Sequence, residues 1–548
     1  MSQGDYEDKE KAIDDYIKKG EGFEKINKHL YAIENYEKVL DMLENTESDK
    51  CFNLYKKLGE LYRNSGDMDN CIRYFEISYK IAEKLDNIYF KIDSLNKLAI
   101  ENFFKGEINT SLAYINKSSD LLNKVDYTEG KLNILIYWLY KYFYENQIYK
   151  VREIGNSALK LCGDNYPYYK GKILNILAQS FTEIINADEH LHLLNLALEN
   201  FIKAGFTQGV LGVTGNIASL YSDKFQDDEK SLEVYAELRE KAKKENFDEF
   251  LILSYINTGE VSLRSLKYEN SYLSYKNGLK EAKKAKLDHM KFYAYIGLVN
   301  VCTKLEKYCE AYKYLKLANK EFCNNPEQGP TISLYYKVRS LFYYKLGSIE
   351  DAKKNIKLSL RFLTIESVIR WNVGLVYEFI KLKDAKIKME VNEALDGIKD
   401  LLMKYKNQEL IMDNVYDTVI QLIDKGYVDE ASSFMNQYKN LKVKPTIKRL
   451  YIETYINGIN NEENIDKLNA LQNTAEKTGG SLLWKVYYLL GDFYNKSNNI
   501  NTASEYYSKA IKELNKLIDS VPQEYRDAFI KTYNLDKTKN KLIGTYNT

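Results

Sequence analysis

The chain has 548 residues, with 79 Lys and Arg against 78 Asp and Glu for a net charge of +1. Nothing in that balance selects nucleic acid or an anionic membrane surface as a partner. Apolar residues make up 45% and charged residues 29%, which suits a folded, water-soluble protein and excludes a disordered one; the length exceeds what one compact core can organise.

The opening stretch, MSQGDYEDKEKAIDDY, is acidic and polar and has no apolar run behind a basic start. It reads as no secretory signal, and a cytoplasmic location is expected. Helical segments then recur in a fixed pattern. A Gly or Ala, often preceded by Leu, is followed three residues on by an aromatic side chain. Twelve residues beyond the Gly comes a small residue, and four later a bulky one. Gly20 with Ala32 and Tyr36 is the first copy, and Leu58-Gly59 with Tyr62, Cys71 and Phe75 is the second. Further copies are Leu98-Ala99 with Ser111 and Ile115, Ile217-Ala218 with Ser231 and Tyr235, and Thr258-Gly259 with Ser271 and Tyr275. Leu177-Ala178 with Phe181, Ala311 with Leu315, Ala352 with Ile356, and Ala431 with Met435 are shorter versions, and Leu490-Gly491 with Tyr494, Ala503 and Tyr507 closes the series.

Small residues on both helices of a hairpin let two backbones approach, and aromatic rings fill the space beside them. Turn sequences separate the helices: NSGDM at 64–68, FKGEI at 104–108, KLGSI at 345–349 and DKGYV at 424–428. All five prolines, at 167, 326, 330, 445 and 522, fall between the expected helix interiors. A hairpin of this kind covers only part of its apolar surface, so neighbours must stack on it.

These residues resemble the tetratricopeptide repeat (TPR) family, whose short motif is the same Leu-Gly, Tyr, Ala, Tyr/Phe, Ala ladder. The unit here is about 40 residues, like the long-unit arrays of bacterial peptide-sensing regulators. The resemblance implies an all-α, right-handed α-solenoid of about 12 TPR-like helical hairpins. It divides into an N-terminal array at 1–323 and a C-terminal array at 332–548, with the polar stretch CNNPEQGPT at 323–331 as the break. The pattern weakens at 364–475, where irregular hairpins are expected, and 522–535 reads as a capping helix.

Catalytic signatures are missing. There is no GxxxxGK[ST] or GxGxxG loop, no GxSxG elbow and no Cys with a nearby His, and the chain has only four His. The reading is a protein that is not an enzyme, with no cofactor and no metal. The six cysteines lack a close CxxC pair and are expected as reduced thiols. Lysine runs at 239–245 and 280–289 fall where second helices end, at the negative pole of the helix, so no direct nucleic-acid contact and no membrane contact is inferred.

In a stacked array the first helices line the concave wall. One position per repeat on that stripe reads Asn96, Asn133, Asn175, Asn216, Asn257 and Asn300, separated by 37 to 43 residues. An amide offers both a donor and an acceptor, so such a ladder can clamp the backbone of an extended peptide. Similar Asn ladders line the groove of peptide-binding TPR proteins, and Tyr137 and Gln179 complete the expected peptide-binding set. The function implied is a non-catalytic protein- or peptide-binding scaffold or sensor. The alternative is a sensor subunit of a larger signalling assembly, suggested by the ending VPQEYRDAFIKTY.

Overall fold

The computed structural model describes residues 3–43, 47–180, 187–324, 330–363, 368–444, 446–456, 465–478, 480, 482–532 and 540. Among these residues there are 27 α-helices, a π turn at Tyr221–Phe225 and a 3-10 turn at Gln523–Tyr525, and no strand. The helices alternate as hairpins: α1 (Gln3–Lys25) with α2 (His29–Met42), α3 (Asp49–Asn64) with α4 (Met68–Lys84), and α5 (Ile88–Lys105) with α6 (Ile108–Leu122). Then come α7 (Thr128–Tyr144) with α8 (Ile148–Cys162), α9 (Pro167–Ser180) with α10 (Ala187–Lys203), and α11 (Thr207–Leu220) with α12 (Asp228–Lys244). The next are α13 (Asp248–Arg264) with α14 (Tyr268–Ala285), α15 (Asp288–Lys304) with α16 (Tyr308–Asn324), and α17 (Pro330–Lys345) with α18 (Ile349–Arg361). Last are α19 (Val368–Asp384) with α20 (Lys388–Leu402), α21 (Gln408–Asp424) with α22 (Val428–Gln437), and α23 (Ile447–Ile456) with α24 (Ile465–Thr478). They end with α25 (Leu482–Lys496), α26 (Ile500–Asp519) and the short α27 (Arg526–Thr532).

The repeat ladder explains the packing inside each hairpin. A side chain added at Gly20, Gly59, Gly259 or Gly491 would come within 2.5–2.9 Å of the ring of Tyr36, Phe75, Tyr275 or Tyr507, respectively, sixteen residues later each time. The missing side chain is therefore the space the ring occupies. Where the same position is Ala99, the residue sixteen on is the aliphatic Ile115, and the two share one buried cluster. The small residues Ala32, Cys71, Ser111, Ser231, Ser271, Ala311, Ala352, Ala431 and Ala503 are all wholly buried. At two of the three Ser slots the hydroxyl reaches across the hairpin, Ser111 Oγ donating to the Ala99 carbonyl and Ser271 Oγ to the Gly259 carbonyl, both at 2.7 Å, whereas Ser231 Oγ makes no hydrogen bond among the described residues. Each contact satisfies a buried hydroxyl that would otherwise cost about 1–3 kcal/mol.

The turn inside the hairpins is also a repeated device. One residue with left-handed backbone sits at Asn27, Gly66, Gly106, Asn146, Gln226, Leu266, Glu306, Gly347, Gly426 and Asn498, with φ between 54° and 89°. Gly adopts this conformation without steric cost and Asn tolerates it, which accounts for the turn sequences NSGDM, FKGEI, KLGSI and DKGYV. Pro167 and Pro330 occupy the first positions of α9 and α17, where a missing N–H leaves no helical bond unmade.

Two compact units divide the chain: residues 1–220 with 233–251, and residues 221–232 with 252–548. The anticipated break at 323–331 lies mostly outside the described residues, and α15 packs against α17 across it. The stretch 364–475 keeps the hairpin form in α19–α24, with each pair of helices in contact; residues 364–367 and 457–464 lie outside the description, as does Phe181.

Each unit contains a tie between distant repeats. In the first, Asn27 Nδ2 donates to the Glu245 carbonyl at 2.7 Å, joining turns 218 residues apart. In the second, the expected cap is α27 with the 3-10 turn before it, and residues 533–535 lie outside the description. The segment docks on α16 and α17: Cys309 N–H donates to the Ser520 carbonyl at 2.8 Å, Tyr312 bonds Glu524, and Phe529 packs on Tyr308. Thr532 Oγ1 bonds the Gly347 carbonyl, and a side chain at Gly347 would lie 2.5 Å from that oxygen. The final turns of the array thus meet its α16–α17 region and close the second unit around its own interior.

Candidate functional site

The inner wall is built from first helices, because each touches the first helix of the next hairpin: α5 with α7, α7 with α9, and α15, α17, α19, α21, α23 and α25 in succession. In the first unit this wall carries cross-repeat ion pairs. Lys56 bonds Asp93 at 2.8 Å, Lys97 bonds Glu60 at 2.8 Å, and Arg63 approaches Glu101 at 3.1 Å. Burial works against the Glu60 charge, yet Lys97, Lys56 and Arg63 hold its carboxyl below the usual range. Glu101 is wholly enclosed, and burial pushes its carboxyl up despite Arg63, Lys97 and Lys172 around it.

The amides singled out in the sequence separate into different roles. Asn96 is 2% exposed. It accepts from Ser118 Oγ at 2.8 Å and donates to the Gly130 carbonyl at 3.3 Å, so it ties α5 to α6 and α7. Tyr137 is 0% exposed and its hydroxyl is hydrogen-bonded with Ser111 Oγ at 3.0 Å; it is a packing residue with no surface left for a ligand. Asn133, Asn175, Gln179 and Asn216 remain half-buried on α7, α9 and α11. Asn133 donates to Tyr169 Oη at 3.2 Å. Asn175 Oδ1 accepts from Gln179 Nε2 at 3.3 Å and from Asn216 Nδ2 at 3.0 Å, a link between α9 and α11. Asn257 and Asn300 belong to the second unit. Asn257 is half-buried on α13, and Asn300 stands one turn before Lys304 on α15, facing the interior.

That interior is a cavity of about 340 Å³, and sequence reasoning did not anticipate it. Its wall includes one column of cations at equivalent places on four successive first helices: Arg264, Lys304, Lys345 and Lys383, 38 to 41 residues apart. On the α21 side the charges are matched. Lys448 bonds Asp413 at 2.6 Å and Asp417 at 2.7 Å, and Lys485 bonds Asp424 at 2.5 Å. Arg264 bonds Asp223 at 2.9 Å. Burial lowers the ammonium pKa values of Lys337 and Lys345, and that of Lys383 falls to about 7. Aromatic rings of Tyr268, Phe379 and Trp484 share the lining. Such a mixture can hold a charged group away from bulk water. Among the described residues, no group of three His, Cys, Asp or Glu could hold a metal ion, and no helix is long and apolar enough to cross a membrane. All six cysteines are free thiols; Cys71 fills a small-residue slot, where burial pushes its pKa up to about 12.

No family model matches the chain, and no curated protein matches it. Solved structures are similar at low identity. A Rap protein complexed with competence and sporulation factor is 12% identical, with 68% of this chain and 99% of that one covered and a TM-score of 0.41. NprR in complex with its cognate peptide NprX is 15% identical, with 73% and 100% covered and a TM-score of 0.40. A signal transduction ATPase with a tetratricopeptide repeat sensor, from Pyrococcus horikoshii, is 16% identical, with 69% and 57% covered and a TM-score of 0.42. Likenesses of this size say nothing about what either unit holds.

Proposed function

We propose that the chain is a non-catalytic binding module and sensor, and that the inner wall of its first unit holds an extended peptide or an extended segment of a protein partner. The observation that carries this reading is the run of half-buried amides at Asn133, Asn175, Gln179 and Asn216 on three consecutive first helices. Their mutual bonds use only part of their capacity. Asn175 retains its Nδ2 donors, while Gln179 and Asn216 retain carbonyl acceptors. Alternating donors and acceptors at repeat spacing match a peptide backbone, which presents both. Each bond contributes about 0.5–1.5 kcal/mol net, so specificity for side chains must come from elsewhere on the wall. Asn96 and Tyr137 have no part in it, since both are committed to packing.

The test is fluorescence polarisation with labelled pools of random short peptides, comparing the native chain with Asn175→Ala plus Asn216→Ala. Binding should weaken about tenfold or more, the equivalent of one to two lost bonds. An unchanged affinity in the double variant removes the amide run from the reading. The alternative, a sensor subunit of a larger assembly, rests on the ending VPQEYRDAFIKTY; its residues 521–532 are docked on α16 and α17 within the same chain, an arrangement that serves closure.

A further inference from the structure

We propose that the cavity of the second unit is a binding site for a small organic polyanion, one carrying two or more phosphate or carboxylate groups, centred on Lys337, Lys304 and Asn300. This goes beyond the peptide reading and uses a different wall. Lys337 is only 8% exposed, lines the cavity from α17, and makes no hydrogen bond or ion pair among the described residues. The charges that act on it are Glu260, which favours its ammonium form, and Lys304 and Arg264, which oppose it; Arg264 is already engaged with Asp223 and Asp228. Lys304, on the adjacent first helix, likewise has no such partner among the described residues. Asn300 is 4% exposed, one helical turn from Lys304, and its amide makes no hydrogen bond among them.

Two ammonium groups and an amide without a hydrogen-bond or ion-pair partner in one enclosed space are costly, because burial penalises a charge; the one carboxylate that favours the Lys337 charge, Glu260, makes no ion pair with it and accepts from Tyr275 Oη at 2.9 Å. The cost is visible as a lowered pKa for Lys337: burial is its largest cause, Glu260 opposes it, and Lys304 and Arg264 add to it. The aspartates across the cavity make their direct bonds elsewhere, Asp413 and Asp417 to Lys448 and Asp424 to Lys485; Asp417 acts on Lys304 only through space, and none of the three acts on Lys337. An oxyanion entering this corner would find donors without acceptors. Ionised donors to carboxylate or phosphate give the stronger class of hydrogen bond. The volume, about 340 Å³, lies at the lower end of small-molecule sites, which favours a compact ligand over a folded partner.

Isothermal titration calorimetry of the full chain with pyrophosphate, citrate and adenosine 5′-monophosphate tests the proposal, with a short poly-glutamate peptide as a parallel arm. At least one of the three small anions should bind with a micromolar dissociation constant and raise Tm. Lys337→Met should weaken that binding tenfold or more while raising the Tm of the free chain, because it removes an unmatched buried charge and keeps the stem. Loss of binding together with a higher Tm cannot come from unfolding. The Asn175→Ala plus Asn216→Ala variant should bind the anion normally, which separates this site from the peptide wall. No binding of any small anion at millimolar concentration overturns the proposal. So does binding that Lys337→Met and Lys304→Met leave unchanged, or binding of poly-glutamate alone.

Discussion

Along the inner wall of the first unit Lys56 reaches Asp93, Lys97 reaches Glu60 and Arg63 reaches Glu101, each across one repeat. Equivalent helices of the second unit also carry cross-repeat pairs, on α21, α23 and α25, but α15 and α17 present Lys304 and Lys337 with none. The difference teaches where binding capacity lies in a repeat protein. A wall whose charges answer one another leaves its neutral amides as the groups with capacity to spare. A wall with surplus cations holds that capacity as charge.

The largest expected effect concerns what closes the second unit. Phe529→Ala should cost about 3–5 kcal/mol, the usual range for removing a buried ring, and hydrogen exchange should quicken at 308–347 where α27 docks. Exchange within the first unit should not change. Equal acceleration in both units would mean that they do not unfold as separate bodies.

Ion pairs sharpen the contrast next. Lys448→Met strands Asp413 and Asp417, all three side chains being about three-quarters or more buried, and should cost about 3 kcal/mol. Lys97→Met in the first unit should cost about 1 kcal/mol or less, because Glu60 is 44% exposed and keeps Lys56 and Arg63 nearby. Urea denaturation of the two variants checks this, and similar losses would erase the distinction.

The smallest effect is in pH dependence. Burial, with Lys345 adding to it and Asp424 opposing, takes Lys383 from its ordinary 10.5 to about 7; Lys485 and Lys425 also lower it. Between those values the unfolded chain holds more protons than the folded one, so stability should rise with pH across that window. Below pH 7 both states are charged and the penalty is complete. The native chain should therefore gain on the order of 1–2 kcal/mol on Lys383→Met between pH 7 and 10, after discounting for the lysine's contact with solvent. Denaturant midpoints at several pH values measure it, and a flat difference would show that the cavity is well hydrated.

The hairpins were legible because their contacts are local in sequence. Gly59 and Phe75, or Gly491 and Tyr507, are sixteen residues apart and differ from their surroundings in size. The amide stripe was legible only as a spacing. Whether Asn96 turns inward depends on Ser118 and the Gly130 carbonyl, on neighbouring helices, and no periodicity encodes that. Mixed registers hid this further: Asn175 lies three residues before Ala178, Asn257 two before Gly259, and Asn300 belongs to another position of the helix. Arg264, Lys304, Lys345 and Lys383 recur as regularly as any asparagine, but a lysine column on a helix is ordinarily a solvated face. Only the closure made by Ser520, Phe529 and Thr532, some two hundred residues from their partners, turns that face into the lining of a cavity.

The matching of each ring to an absent side chain sixteen positions earlier also constrains how such a chain can be rearranged. A crossover between repeats that falls in the link between hairpins preserves every fit. One that falls inside a hairpin sets the ring of Phe75 against the methyl of Ala99, or leaves Gly59 facing Ile115 across a void. The smallest piece that can be duplicated, lost or transplanted without damage is therefore the helix pair, and lengths change in steps of about forty residues, the interval from Gly59 to Ala99.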